Sequence, residues 1–95
     1  MNKNKQIVQR VARIKRDDLV CALKQRRDFI QGANCARHDE YGMYVIQSYG
    51  VTICVVDSDG DVVRFDNTFY SLTTKTIQNA CVKAFSISEG LTNGL

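Results

Sequence analysis

Long apolar runs are missing from this chain of 95 residues. Nowhere do apolar side chains approach the roughly 20 in succession that cross a bilayer, which excludes a membrane-spanning helix. Histidine occurs once, at His38, so any acid–base or nucleophilic scheme centred on imidazole must use that residue. The four cysteines, Cys21, Cys35, Cys54 and Cys81, are widely separated, and none stands in a C-x-x-C pair. Zinc sites and dithiol redox motifs need closer spacing. A phosphate cradle is missing too, since Gly42, Gly50 and Gly60 are isolated turn glycines. With no paired acid–base set of recognised spacing, the chain is expected to be no enzyme and to carry neither cofactor nor metal.

Three local constellations resemble chemistry and have simpler readings. Asp57-Ser58-Asp59-Gly60-Asp61 looks like the start of a calcium loop, but its glycine is fourth and Thr68 occupies the twelfth position. An EF-hand needs glycine sixth and a bidentate Glu twelfth, so a hairpin turn explains the string. Cys35 precedes His38, and Asp39 and Glu40 follow it, yet Cys–His nucleophiles are assembled by folds from distant positions. An exposed loop histidine is the expectation. Ser71, Thr73 and Thr74 are hydroxyls placed just before a helix, where they serve as caps.

What is present is the composition of one soluble globular domain: 44% hydrophobic and 24% charged residues. A chain of this length buries about 60 to 65% of its unfolded surface, enough for one modest core. Three of the four cysteines fall at apolar positions of expected elements, where free Cys behaves as a small hydrophobe. That favours a reduced compartment. Met-Asn-Lys-Asn-Lys-Gln at the start is basic but is not followed by an uninterrupted apolar segment, so no secretory signal is expected.

Charge is unevenly placed. Residues 1–31 hold nine basic side chains against Asp17, Asp18 and Asp28, a balance of +6, whereas residues 32–95 hold four basic and seven acidic, a balance of −3. The two sum to the net +3 of the chain. Arg10, Arg13, Lys15, Arg16, Lys24, Arg26 and Arg27 are the candidate partner-binding residues, because such clusters attract phosphates or acidic surfaces. A solvated helix face accounts for the same residues. Nucleic-acid sheets add exposed aromatics for stacking, and Tyr41, Tyr44, Tyr49 and Phe65 are the candidates, half or more of them expected in the core.

Ile7, Val8, Val11 and Ile14 recur at helical spacing among Lys3, Lys5, Arg10, Arg13 and Lys15. Asp17 can cap a second segment carrying Leu19, Val20, Ala22 and Leu23. Whether residues 4–27 form one helix or two stays open. Residues 33–41 have no useful period and read as a polar connection. From Met43 the period becomes two: Met43 to Ser48, Thr52 to Val56 and Val62 to Phe65 are divided by Tyr49-Gly50 and Asp59-Gly60. Thr73 or Thr74 then caps a helix whose Ile77, Ala80, Cys81, Ala84 and Phe85 form one stripe. The expected fold is α+β: a basic helical region over 1–31, a strand-strand-strand-helix module over 42–86 with a three-stranded antiparallel meander under the helix, and a tail over 87–95.

Ser48-Tyr49-Gly50 closing a strand, Ile53 in the next, an Asp-Gly turn, and Tyr70-Ser71-x-Thr73-Thr74-x-x-x-Gln78 opening the last helix resemble a family of small phage-encoded proteins with a domain of unknown function. The resemblance covers a little under half the chain. Members often place His just before the Gln, where this chain has Ile77, so no role of that imidazole carries over. The resemblance implies a phage accessory protein in the host cytoplasm, acting by stoichiometric binding to host machinery such as a defence nuclease complex or a polymerase. The expected function is inhibition or modulation of such a machine, the basic helix supplying electrostatic contact and the sheet edge or a helix face the rest, as a monomer or a dimer. Direct nucleic-acid binding by the basic N-terminal region is the alternative.

Overall fold

A computed structural model of the chain describes residues 11–88. Lys3, Lys5, Ile7, Val8 and Arg10 of the expected basic helix, and residues 89–95 of the expected tail, lie outside the described residues. The elements in order are β1 (Ala12–Arg13), a 3-10 turn (Arg16–Asp18), α1 (Leu19–Lys24), β2 (Phe29–Gln31), β3 (Asn34–His38), β4 (Tyr44–Ser48), β5 (Val51–Val56), β6 (Val62–Phe65) and α2 (Leu72–Phe85). All six strands lie in one sheet in sequential order, β1 parallel to β2 and every other pair antiparallel.

This overturns the three-stranded meander beneath one C-terminal helix that follows a helical N-terminal third. The strands over 44–65 are half of a mixed sheet twice that size. Residues 33–41 are no polar connection: Asn34–His38 pair along their whole length with Tyr44–Ser48. Of the expected basic helix, only the six residues of α1 are α-helical among the described residues. Val11 and Ile14 match a helical period, yet Ile14 donates its amide to the carbonyl of Ile30 at 2.9 Å and Ala12 and Arg13 run beside Phe29 and Ile30. The helical spacing of Val11 and Ile14 does not outweigh that strand pairing, since a short helix is marginal in water without tertiary support.

The core lies between one face of the sheet and both helices. Phe29, Ala36, Tyr44, Ile46, Ile53, Cys54 and Val56 from the strands meet Leu19, Ala22 and Leu23 of α1 and Ile77, Ala80 and Cys81 of α2. Alternation along the strands is regular, with Asn34 and Ala36, then Tyr44, Ile46 and Ser48, all buried. At β5 it is broken on purpose. Ile46 faces Cys54 while Gln47 faces Thr52, so Ile53 is an extra residue and two consecutive side chains, Ile53 and Cys54, both enter the core.

Turn chemistry follows the sequence. Tyr49 and Gly50 have φ of 52° and 80°, the paired positive values of a two-residue hairpin loop. The cap of α2 is Ser71 rather than Thr73 or Thr74: its Oγ accepts from the amide of Thr74 at 3.1 Å. Thr74 is buried and its hydroxyl lies 2.8 Å from that of Ser48, tying the helix start to β4. One turn later the buried Gln78 donates to the carbonyls of Asp66 and Thr68 at 2.8 and 2.9 Å, which fixes the β6–α2 connection. At the other end Ser86 is left-handed, and Ile87 folds back to donate to Val82 at 3.1 Å.

Candidate functional site

Both helices cover one face of the sheet, and the opposite face has no covering element among the described residues. Its residues follow from the register, because paired residues project to the same side. One row crosses five strands: Arg13, Ile30, Cys35, Gln47 and Thr52. The neighbouring row crosses four: Arg37, Val45, Val55 and Arg64. Ile30, Cys35, Val45 and Val55 are half-buried and the three arginines are exposed. The contact from Cys35 Sγ to Gln47 Oε1, at 3.9 Å, shows two members of the first row side by side. The face is therefore an apolar centre framed by guanidinium groups.

Among the described residues no carboxylate comes within 4.0 Å of these arginines, although Asp66, held by Tyr70 and the Thr68 amide, feels the Arg64 charge. Asp39 and Asp57 stand two residues beyond Arg37 and Val55 along their strands, but each is folded into its own turn. Asp39 Oδ1 accepts from the amides of Tyr41 and Met43 at 2.8 and 3.0 Å. Asp57 Oδ1 accepts from those of Asp59 and Asp61 at 3.0 and 2.9 Å. These are backbone-satisfying side chains of tight turns. The calcium-like string is thus a hairpin, and no group of three or more metal-ligating side chains occurs among the described residues. Among those residues, the single contact within 4.0 Å between a basic side chain and a carboxylate joins His38 to Asp28, and no lysine or arginine has a carboxylate that close.

The seven basic residues singled out by sequence do not form one helix face. Arg10 lies outside the described residues. Arg13 sits on β1 at the border of the open face. Lys15 precedes the 3-10 turn, and Arg16 within it borders a cleft of about 300 Å³ between α1 and α2, opposite Thr76, Asn79 and Lys83. Lys24 ends α1. Arg26 is left-handed, with φ of 50°, and lays its guanidinium across the β5–β6 turn, where a Cβ on Gly60 would come within 3.2 Å of Nη1. Arg27 offers its carbonyl to the Tyr44 hydroxyl at 2.5 Å. Arg37 and Arg64, which bracket the apolar row, were missed by sequence reading because β3 went unrecognised and charge counting favoured the N-terminal third.

His38 is exposed, as expected, but it ends strand β3 rather than lying in a loop, and it is not isolated. Its Nδ1 lies 2.8 Å from Asp28 Oδ1, which also accepts the His38 amide at 3.2 Å, and its ring stands 5.0 Å from that of Tyr44. The arrangement orients an imidazole and joins β3 to the residue before β2. Burial, aided by Asp28, pushes the Tyr44 hydroxyl far above its ordinary range, so it stays a donor. Cys35 is on the other face of the sheet, so the sequence neighbours Cys35 and His38 are not a pair. Cys81 is held well above the usual thiol range by the neighbouring Cys54 thiol and by burial, and acts as a core residue. All four cysteines are free, with Cys21 exposed and Cys35 half-buried.

Of the aromatics considered for stacking, Tyr44 is core and Phe65 packs against it, while Tyr41 and Tyr49 are exposed at turns. Neither belongs to the two open-face rows. A further exposed apolar group, Tyr49, Phe69, Tyr70 and Leu72, surrounds the start of α2. No helix among the described residues is long and apolar enough to cross a membrane. No protein family, curated protein or solved structure matches the chain.

Proposed function

We propose that the chain is a non-catalytic accessory protein, of the phage type its resemblance implies, that binds and modulates a host macromolecular machine through the open face of its sheet. The observation that carries this reading is the row Arg37, Val45, Val55 and Arg64, two guanidinium groups with no carboxylate within 4.0 Å among the described residues around a half-buried apolar centre. Arginine beside apolar surface is the composition of an interface core rather than of a solvated face. A partner surface bearing carboxylates around apolar side chains complements it. A protein fits better than nucleic acid, because neither row offers an aromatic ring on which a base could stack.

Affinity capture from host cells, with and without nuclease, using the wild type and an Arg37→Glu, Arg64→Glu double variant, tests the reading. A stoichiometric protein partner that survives nuclease and is lost in the double variant is the expected result, with association slowed tenfold or more. Recovery that vanishes with nuclease would instead assign the arginines to nucleic acid. Identical recovery by both proteins would remove the open face as the contact.

A further inference from the structure

We propose that the outer edge of β6 and the C-terminal end of α2 form a second docking site, which takes an extended segment of a partner protein as a seventh strand. The segment has apolar residues on the side facing α2 and an acidic residue opposite Arg64. This site is argued without the open-face reading, although both use Arg64.

β6 pairs with β5 on one side and with no strand on the other among the described residues. Its outer backbone groups are thus a template for strand addition, the commonest way for a sheet edge to capture a peptide. The edge also has a wall. A groove of about 560 Å³ runs between β6 and the end of α2, lined by Val62, Val63 and Phe65 on one side and Phe85, Ser86 and Ile87 on the other. The left-handed Ser86 creates this wall, because it turns the chain so that Ile87 packs back on the core. A strand seated there would place alternate side chains against half-buried Phe65, Phe85 and Ile87, replacing water over an apolar floor.

The occupant follows from the edge itself. Val56 faces Val62 and Val55 faces Arg64, so Val63 is an extra residue on β6, 55% exposed. Such a bulge twists an edge away from flat pairing with an identical edge. It disfavours a second copy and leaves a narrow segment, free to follow the twist, as the partner. On the open side Arg64 has no carboxylate within 4.0 Å among the described residues, and Asp66, which feels its charge, has its oxygens already engaged by Tyr70 and the Thr68 amide. The residue of an added strand directly opposite it would stand about 5 Å away between Cβ atoms, where opposite charges attract and like charges repel.

Fluorescence anisotropy with the full chain and a labelled peptide alternating Val and Thr around one central Glu tests this. A twin peptide with central Lys is the control. The Glu peptide is expected to bind about tenfold tighter than its twin, and Arg64→Glu is expected to reverse the preference. N-methylation of the alternate peptide amides that face β6 should abolish binding, while methylation of the other set should not. Backbone amide shifts should appear at Val63 and Phe65. Arg37→Glu, which disables the open-face partner, should leave peptide binding unchanged, so the two readings fail separately. The proposal is overturned by equal affinity for both peptides, by equal loss on either methylation pattern, or by shifts confined to other elements. It is also overturned if the chain is a dimer that Val63→Asp dissociates, because a second copy then holds the edge. Binding that requires deletion of residues 89–95 would likewise assign the edge to the chain's own terminus.

Discussion

Asp66 shows how one side chain organises the connection between β6 and α2. Its Oδ2 accepts from the Tyr70 hydroxyl at 2.5 Å and its Oδ1 from the Thr68 amide at 2.9 Å. The Tyr70 bond holds its carboxyl below the ordinary range; burial opposes it, and the Thr68 hydrogen bonds and the nearby Arg64 charge add to the lowering. A carboxyl depressed in the folded state contributes stability that is present above the unfolded value, near 3.9, and is lost as pH falls through the lower folded value. Tyr70 responds in the opposite sense: donating to Asp66 raises its own ionisation above the usual range. An NMR titration of the Thr68 amide should therefore move below pH 3.9, and Asp66→Asn should abolish that transition. A midpoint at or above the ordinary value would contradict the hydrogen-bond account. Ser71→Ala, by removing the cap on Thr74, should cost about 1 kcal/mol in chemical denaturation.

At the scale of elements, the decisive strand is β3. Ala36 is 1% exposed, flanked by Phe29 on β2 and Ile46 on β4. Ala36→Asp should cost several kcal/mol and unfold the domain, because a buried unpaired carboxylate has no compensating partner there. Were residues 33–41 a solvated connection, the same change would be nearly silent, so a thermal melt distinguishes the two.

Why β3 was illegible while β4 to β6 were legible is a matter of where the information sits. Val45-Ile46, Ile53 to Val56 and Val62-Val63 carry their own β-branched residues, and Tyr49-Gly50 announces a turn with positive φ. Asn34-Cys35-Ala36-Arg37-His38 has one small apolar residue facing the core, and its inward Asn34 reads as polar. Its strand character comes from Phe29 and Ile46 on either side, which are distant in sequence. β1 and β2, of two and three residues, are below the length at which any period can be seen. The stripe of α2 was visible; its cap was displaced by two or three residues, a normal uncertainty at helix ends.

The open face inherits that limit. Arg64 lay in a strand that sequence could place, but its companion Arg37 lay in one that it could not. Only the register of β3, β4, β5 and β6 brings Arg37, Val45, Val55 and Arg64 into one row.

Taken as a whole, the molecule has a helix-covered face that builds the core and an arginine-framed face that no element covers among the described residues. Half-buried Val45 and Val55 between Arg37 and Arg64 gain little in the isolated chain and much against a complementary surface. That the open face is the contact surface is most directly tested by photo-cross-linking in host cells, with a benzophenone side chain placed at Gln47 or, on the helix side, at Leu72, which is 80% exposed. The account predicts one discrete cross-linked protein from Gln47 and none from Leu72. A discrete product from Leu72 with none from Gln47 would contradict it.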